Sequence, residues 1–197
     1  MKVINLYGAP SAGKSTAMLG LTYHLKLMGL SAENTPEFFK EMIYENSSAE
    51  TFGGQLYVLG EQNRRLARLK GKNDFTITDC PLPLIGYYTS QNYVGGFNEF
   101  LNNLYHTYDN VNYFIVRKHE FESEKRAHSQ EQADTIEQAL PAYLKQMGVE
   151  CVVMESGEDL VERIVADMIE RNVIAVEHLA KARHAETRLL AQKRGVK

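Results

Sequence analysis

Short apolar runs alternate with longer segments of helical spacing along this chain, and that alternation sets its expected architecture. Val3 to Tyr7, Leu30 to Thr35, Phe75 to Asp79, Val111 to Arg117 and Val149 to Met154 read as five strands. Ser15 to Met28 carries Ala17, Leu21, Leu25 and Met28 on one face and stops at Gly29, as an amphipathic helix does. Leu30 to Thr35 is weak as a strand on its own. A parallel sheet requires the chain to return after its crossover helix, and Pro36 marks the end of that return. Glu37 to Glu45 and Phe52 to Lys70 are expected helices. The second turns Leu56, Leu59, Leu66 and Leu69 inward, with Gln55, Gln62, Asn63, Arg64, Arg65 and Arg68 as its polar complement, and Gly71 closes it. Cys80-Pro81-Leu82-Pro83 directs the chain out of regular structure, and Leu84 to Phe100 reads as a loop with helical pieces. Ser129-Gln130-Glu131-Gln132 is a capping-box helix start, and Pro141 either kinks that helix or begins a second one. Ser156 to Asp159 caps a helix burying Leu160, Ile164 and Met168, and residues 173 to 194 form a last, basic helix. Strands alternating with helices imply a parallel sheet covered on both faces.

The first strand runs directly into Gly8-Ala9-Pro10-Ser11-Ala12-Gly13-Lys14-Ser15-Thr16, a glycine-bounded loop ending in Gly-Lys-Ser. This is a phosphate-binding loop in its confirming context, after a strand and before a helix. Gly8 and Gly13 permit backbone angles that let successive N–H groups turn toward phosphate oxygens. Lys14 reaches the β- and γ-phosphates, Ser15 offers one oxygen to Mg²⁺, and the helix that follows aims its positive dipole end at the anion. The expected fold is therefore the α/β, three-layer P-loop NTPase fold. It has a five-stranded parallel sheet of order 2-3-1-4-5, helices on both faces and a short lid over about residues 117–130.

Composition narrows the class. The 197 residues suit one domain over residues 1–170 with a helical appendage over 171–197. That appendage has seven Lys or Arg against Glu177 and Glu186, a charge of +5, so the chain's net −3 leaves the first 170 residues at −8. Cys80 and Cys151 suggest neither a disulfide framework nor a metal cluster. No apolar run approaches the roughly 20 residues that span a bilayer, and the N-terminus enters a strand at once. We therefore expect a soluble cytoplasmic protein with no membrane partner; the oligomeric state stays open.

Three kinds of phosphate-loop protein compete. A GTP-binding switch needs an Asn-Lys-x-Asp element, and none occurs. A motor ATPase usually follows the metal-facing Asp with a water-polarising Glu, where this chain has Cys80-Pro81. Phe52-Gly53-Gly54-Gln55 resembles a transporter signature but precedes the second motif, the wrong order. A kinase needs a cationic lid and a base beside the γ-phosphate. Arg117, Lys118, Lys125 and Arg126 flank the segment after the fourth strand, and Arg126 is the leading candidate to neutralise charge on the transferring phosphoryl group. Glu37 and Asp79 fall at the carboxyl edges of the second and third strands, where ligands of open α/β sheets bind. Glu37 is the candidate general base and Asp79 the carboxylate that organises Mg²⁺, or the two roles are exchanged.

Together, Gly8 to Thr16, Thr35-Pro36-Glu37, Gln55 to Leu59, Glu61-Gln62-Asn63 with Arg65 and Arg68, Thr78-Asp79-Cys80-Pro81 and Arg126 to Glu131 resemble phage-encoded small P-loop kinases. These belong to the thymidylate-kinase-like and ribosylnicotinamide-kinase-like group, and the likeness covers about residues 2 to 170. It implies an ATP·Mg²⁺-dependent kinase. Because the group includes phage 5-hydroxymethyluracil DNA kinases, its most specific implication is transfer to a base hydroxymethyl in DNA, in thymidine hypermodification. Asp79-Cys80-Pro81 departs from the Asp-Arg usual in thymidylate kinases and the Glu-Arg-Ser of deoxynucleoside kinases, so neither of those substrates transfers directly.

For the acceptor, Gln55, Gln62 and Asn63 are amides able to read a base edge, and Tyr57, Tyr87, Tyr88 and Tyr93 are rings able to stack on it. Arg65 and Arg68, with Arg64 and the basic tail, suit a phosphate backbone. The expected acceptor is nucleoside-type, with DNA as the specific version. The alternatives are a free nucleoside or nucleotide, or an ATP-dependent switch that transfers phosphate to no acceptor.

Overall fold

A computed structural model of the chain describes residues 1–45, 54–89, 93–118 and 129–175. β1 (Lys2–Tyr7) is the central strand. It pairs in parallel with β3 (Phe75–Thr78) on one side and β4 (Asp109–Val116) on the other; β2 (Ala32–Thr35) flanks β3 and β5 (Val152–Glu155) flanks β4. The order is β2-β3-β1-β4-β5, all parallel, with Ile4 opposite Ile77 and Val111. This is the sheet expected from the sequence.

Side chains alternate across the sheet, so β1 supplies both cores. Ile4 and Leu6 pack with Ile77, Tyr113 and Ile115 beneath α1 (Lys14–Leu27) and α7 (Leu160–Glu170). Met18, Leu21 and Leu25 of α1 are buried there, each contributing roughly 1.5–3 kcal/mol of gross burial. On the other face Val3 meets α2 (Phe38–Tyr44), α3 (Gln55–Ala67), α4 (Leu82–Tyr87) and α5 (Phe97–Tyr105), while Tyr7 and Phe114 meet α6 (Gln130–Gln146). No helix among the described residues is long and apolar enough to cross a membrane.

Several local expectations change. In α3 the buried stripe is Val58, Leu59, Gln62 and Leu66, whereas Leu56 is 56% exposed. At about 100° per residue, position 56 lies roughly a quarter-turn or more from the centre of that stripe. Leu69 falls beyond the helix end. Cys80 to Pro83 does not simply break structure, because Pro81 is the N-cap of α4 and Pro83 sits in its first turn, where a missing N–H removes no helical bond. α5 extends to Tyr105 and converts the end of the expected loop into helix. α6 runs without a break through Pro141, and its capping box forms with Ser129 and Gln132. Asp159 is the N-cap of α7, yet its carboxylate pairs with Arg163 rather than with the helix N–H groups. The basic helix expected over 173–194 does not begin at 173, since residues 171–174 form a turn and bend after α7, and its remainder, like most of the expected lid, lies outside the described residues.

Candidate active site

The phosphate loop owes its shape to three residues with positive φ. Gly8 (φ 142°) passes so close to β4 that a Cβ there would sit 2.5 Å from the carbonyl oxygen of Ile115. Ser11 takes φ 64°, and Gly13 (φ 85°) is the N-cap of α1, whose first turn carries no acidic side chain. The α1 N-terminus therefore presents its N–H groups and dipole to an anion with no carboxylate from its own first turn. Lys14 folds over this cradle, its Nζ donating to the carbonyls of Gly8 and Ala9 at 2.8 Å each.

Asp79 joins the loop to the next strand edge. It is only 5% exposed; its Oδ2 accepts from Ser15 Oγ at 2.5 Å and its Oδ1 from the backbone N–H of Glu37 at 3.0 Å. Ser15 and Asp79 offer a hydroxyl and a carboxylate side by side, hard oxygens of the kind Mg²⁺ takes. Among the described residues no cluster of three or more His, Cys, Asp or Glu forms a full metal cage.

Glu37 is the N-cap of α2 and stands in the wall of a cleft of about 360 Å³ that opens from the loop. Pro10 to Thr16 and Asp79 form one end of the cleft. Phe39, Ile43, Val58, Leu84, Ile85 and Tyr88 form its apolar flank, and Lys40, Gln55 and Cys80 complete it. Burial, followed by the nearby Glu37 carboxylate, pushes the Tyr88 hydroxyl and the Cys80 thiol well above their usual ranges. Both remain neutral at ordinary pH, and the carboxylates of Glu37 and Asp79 stand beside them as the candidate proton acceptors.

Of the residues anticipated for the acceptor, Gln55 lines the cleft. Gln62, Asn63, Arg65 and Arg68 are not brought to it, because α3 turns them elsewhere. Gln62 is fully buried and bonds to Phe38 N, Pro36 O and Thr78 Oγ1. Asn63 Oδ1 accepts from Tyr108 OH at 2.6 Å. Arg65 stacks 4.8 Å above Phe38 and pairs with Glu41, and its hydrogen bonds hold that carboxyl below the usual carboxylate range. Arg64 pairs with Glu61, and Arg68 is exposed at the end of α3. Among the tyrosines, Tyr88 lines the cleft, while Tyr57 packs edge-on against Phe38 and the Tyr93 hydroxyl accepts from Leu56 N. Arg117 is anchored to α6 through Asp134 and Glu137, and Arg126 lies outside the described residues. Reading the sequence missed Phe39, Lys40 and Ile43. The spacing of 39 and 43, one helical turn apart, was the available signal.

Sheet order, phosphate loop and the Ser15–Asp79 contact define a P-loop NTPase with the kinase-type three-layer fold. Within that class the chain belongs to the AAA domain family AAA_28, which matches residues 3–163. No curated protein matches it. Among solved structures, deoxyadenosine kinase from M. mycoides, with bound dCTP, superposes with a TM-score of 0.51 at 19% identity, over 88% of this chain and 100% of that one. Shikimate kinases from Bacteroides thetaiotaomicron and Aquifex aeolicus give TM-scores of 0.49 and 0.48 at 14% and 20% identity. They cover 87% and 88% of this chain, and 98% and 99% of their own. At such identities the likeness is one of fold.

Proposed function

We propose that this protein is a kinase that transfers the γ-phosphoryl group of ATP to a hydroxyl of a nucleoside-type acceptor held in the cleft. The observation that carries the reading is the junction at Asp79, where one carboxylate receives both the Ser15 hydroxyl and the Glu37 N–H. It sets two acids at the phosphate end of a mainly apolar cleft. The acceptor oxygen forms a bond to the γ-phosphorus as the bond to the β,γ-bridging oxygen breaks. The acceptor proton passes to Glu37, or to Asp79 if the roles are exchanged, and ADP departs. Main-chain N–H groups of the loop and the Lys14 ammonium hold the triphosphate. Mg²⁺, when bound by Ser15 and Asp79, supplies charge neutralisation of the phosphates. The wall of Phe39, Ile43, Ile85 and Tyr88 suits a flat, largely apolar body such as a base, and Gln55 offers paired donor and acceptor to its edge. Cys80 occupies the position after Asp79 where a water-polarising acid would stand, which favours transfer over hydrolysis. Arg126 is proposed as the lid cation.

Within this class the finer acceptor is the hydroxymethyl group of 5-hydroxymethyluracil in phage DNA, supported by the resemblance above and by the +5 charge of residues 171–197. The pairing of Arg64 and Arg65 with Glu61 and Glu41 takes two cations out of that argument. The test offers γ-labelled ATP with nucleosides, nucleotides, and plain and hydroxymethylated DNA. Label in hydroxymethylated DNA alone supports the finer reading, and label in a free nucleoside or nucleotide replaces it. Released phosphate with no labelled acceptor would sink the kinase assignment.

A further inference from the structure

One fully buried amide touches both candidate acids through their neighbours. Gln62 occupies a core position of α3 between Leu59 and Leu66, where an apolar side chain would be expected. Burying an amide is costly unless each polar atom finds a partner, and here each does. Its Oε1 accepts from Phe38 N at 3.1 Å, and its Nε2 donates to Pro36 O at 3.4 Å and Thr78 Oγ1 at 3.3 Å. The backbone N–H of Phe38 must face the oxygen, which fixes the orientation of the amide. Pro36 and Phe38 are the residues on either side of Glu37, and Thr78 immediately precedes Asp79. Thr78 Oγ1 also accepts from Cys80 N at 3.2 Å, so the turn that carries Asp79 is held on both sides.

The clamp acts where Glu37 enters α2, a seven-residue helix whose first turn packs through the half-buried Phe38 and Phe39. The Glu37 N–H bond to Asp79 is the direct link between the acids. The amide sets the spacing of the two chain segments within which that bond forms.

We propose that Gln62 is a positioning residue, holding the β2–α2 and β3–α4 turns together so that Glu37 stands in register with Asp79 at the phosphate end of the cleft. Its effect on turnover rests on the kinase reading above, whereas its effect on the two turns does not.

Two variants test it from opposite ends: Gln62→Met, which keeps length and loses the amide, and Thr78→Val, which removes the oxygen that receives it. In each, transfer from ATP should fall about 10- to 100-fold in kcat, the range usual for groups that orient catalytic residues. ATP affinity should stay within about twofold, because the phosphate loop is untouched. The Gln62→Met/Glu37→Gln double variant should be no slower than Glu37→Gln alone. Losses that multiply, or an equal loss of ATP binding, would reduce Gln62 to ordinary core packing and overturn the proposal. Hydrogen exchange gives an answer without any turnover. In Gln62→Met the amides of Glu37 and Phe38 should lose protection while those of residues 12–16 keep theirs. Protection retained at Glu37 and Phe38, or lost equally in both regions, overturns the clamp even if the wild type labels no acceptor. Absence of label with the selective exchange pattern intact would count against the kinase reading alone.

Discussion

At the residue scale the phosphate loop shows how different demands fall on residues of the same type. The Lys14 ammonium already has two carbonyl partners, which hold its charge over the cradle before any phosphate arrives. Lys14→Ala should weaken ATP binding about 10- to 100-fold, the equivalent of a charge-assisted hydrogen bond of about 1.5–3 kcal/mol. Calorimetric titration reads this directly, and unchanged affinity would remove Lys14 from the site. Gly8 and Gly13 both have positive φ, yet they meet different surroundings. A Cβ at Gly8 meets the Ile115 carbonyl, whereas one at Gly13 meets nothing within 4 Å. Gly13→Ala should therefore cost only the backbone term, about 1–2 kcal/mol. Gly8→Ala should cost clearly more, since β4 or the loop must also shift. Urea midpoints of the two variants make the comparison; equal losses would mean that β4 does not confine the loop.

At the element scale, what an element buries is decided by the surface it meets. α3 carries enough leucines to suggest a stripe through Leu56 and Leu69, yet it buries Val58, Leu59, Gln62 and Leu66. That choice takes Gln62 away from the substrate and makes it a brace. α6 shows local chemistry prevailing instead: Ser129 Oγ accepts from Gln132 N at 3.3 Å, and the Gln132 side chain accepts from Ser129 N at 2.8 Å. Ser129→Ala should lower stability by about 1 kcal/mol, as loss of an N-cap does. The thermal midpoint reads the change, and a Ser129→Asp variant should recover most of it. α6 also receives Arg117 through Asp134 and Glu137. The end of β4 is thereby fastened where the expected lid begins.

At the scale of the whole molecule, burial rather than pairing governs the titration of the thiols. Cys151 is pushed up to about 12 and Cys80 well above its usual value, both chiefly by desolvation. Above the usual thiol value of 9.0 the unfolded chain releases protons that the folded chain keeps, so it binds fewer of them. The thiols' contribution to stability should accordingly be lost as pH rises from about 9 toward about 12. Native protein should also resist iodoacetamide at pH about 8.5 and react fully once unfolded, since the thiolate is the nucleophile. Rapid labelling of both thiols in the native state would contradict this burial. Both cysteines lie in the packing on the sheet face opposite α1 and α7, Cys80 in the cluster with α4 and Cys151 beside α6, and both are shielded there.

The sequence by itself determined whatever depends on neighbours along the chain. The phosphate loop, the alternation of strand and helix, the capping box at Ser129 and the placing of Glu37 and Asp79 at strand ends all rest on local backbone preference and on hydrophobic period. Sheet order followed too, because the phosphate loop after the first strand points to the P-loop fold, in which the order is 2-3-1-4-5. Only the tertiary structure decided which side of α3 faces the core, that Arg65 serves Glu41 rather than a ligand, and that Phe39, Lys40 and Ile43 line the cleft. It also decided that Asp79 accepts from both Ser15 and Glu37. Those outcomes depend on contacts between segments tens of residues apart, and a side chain's partner across such distances is set by packing that local spacing does not encode.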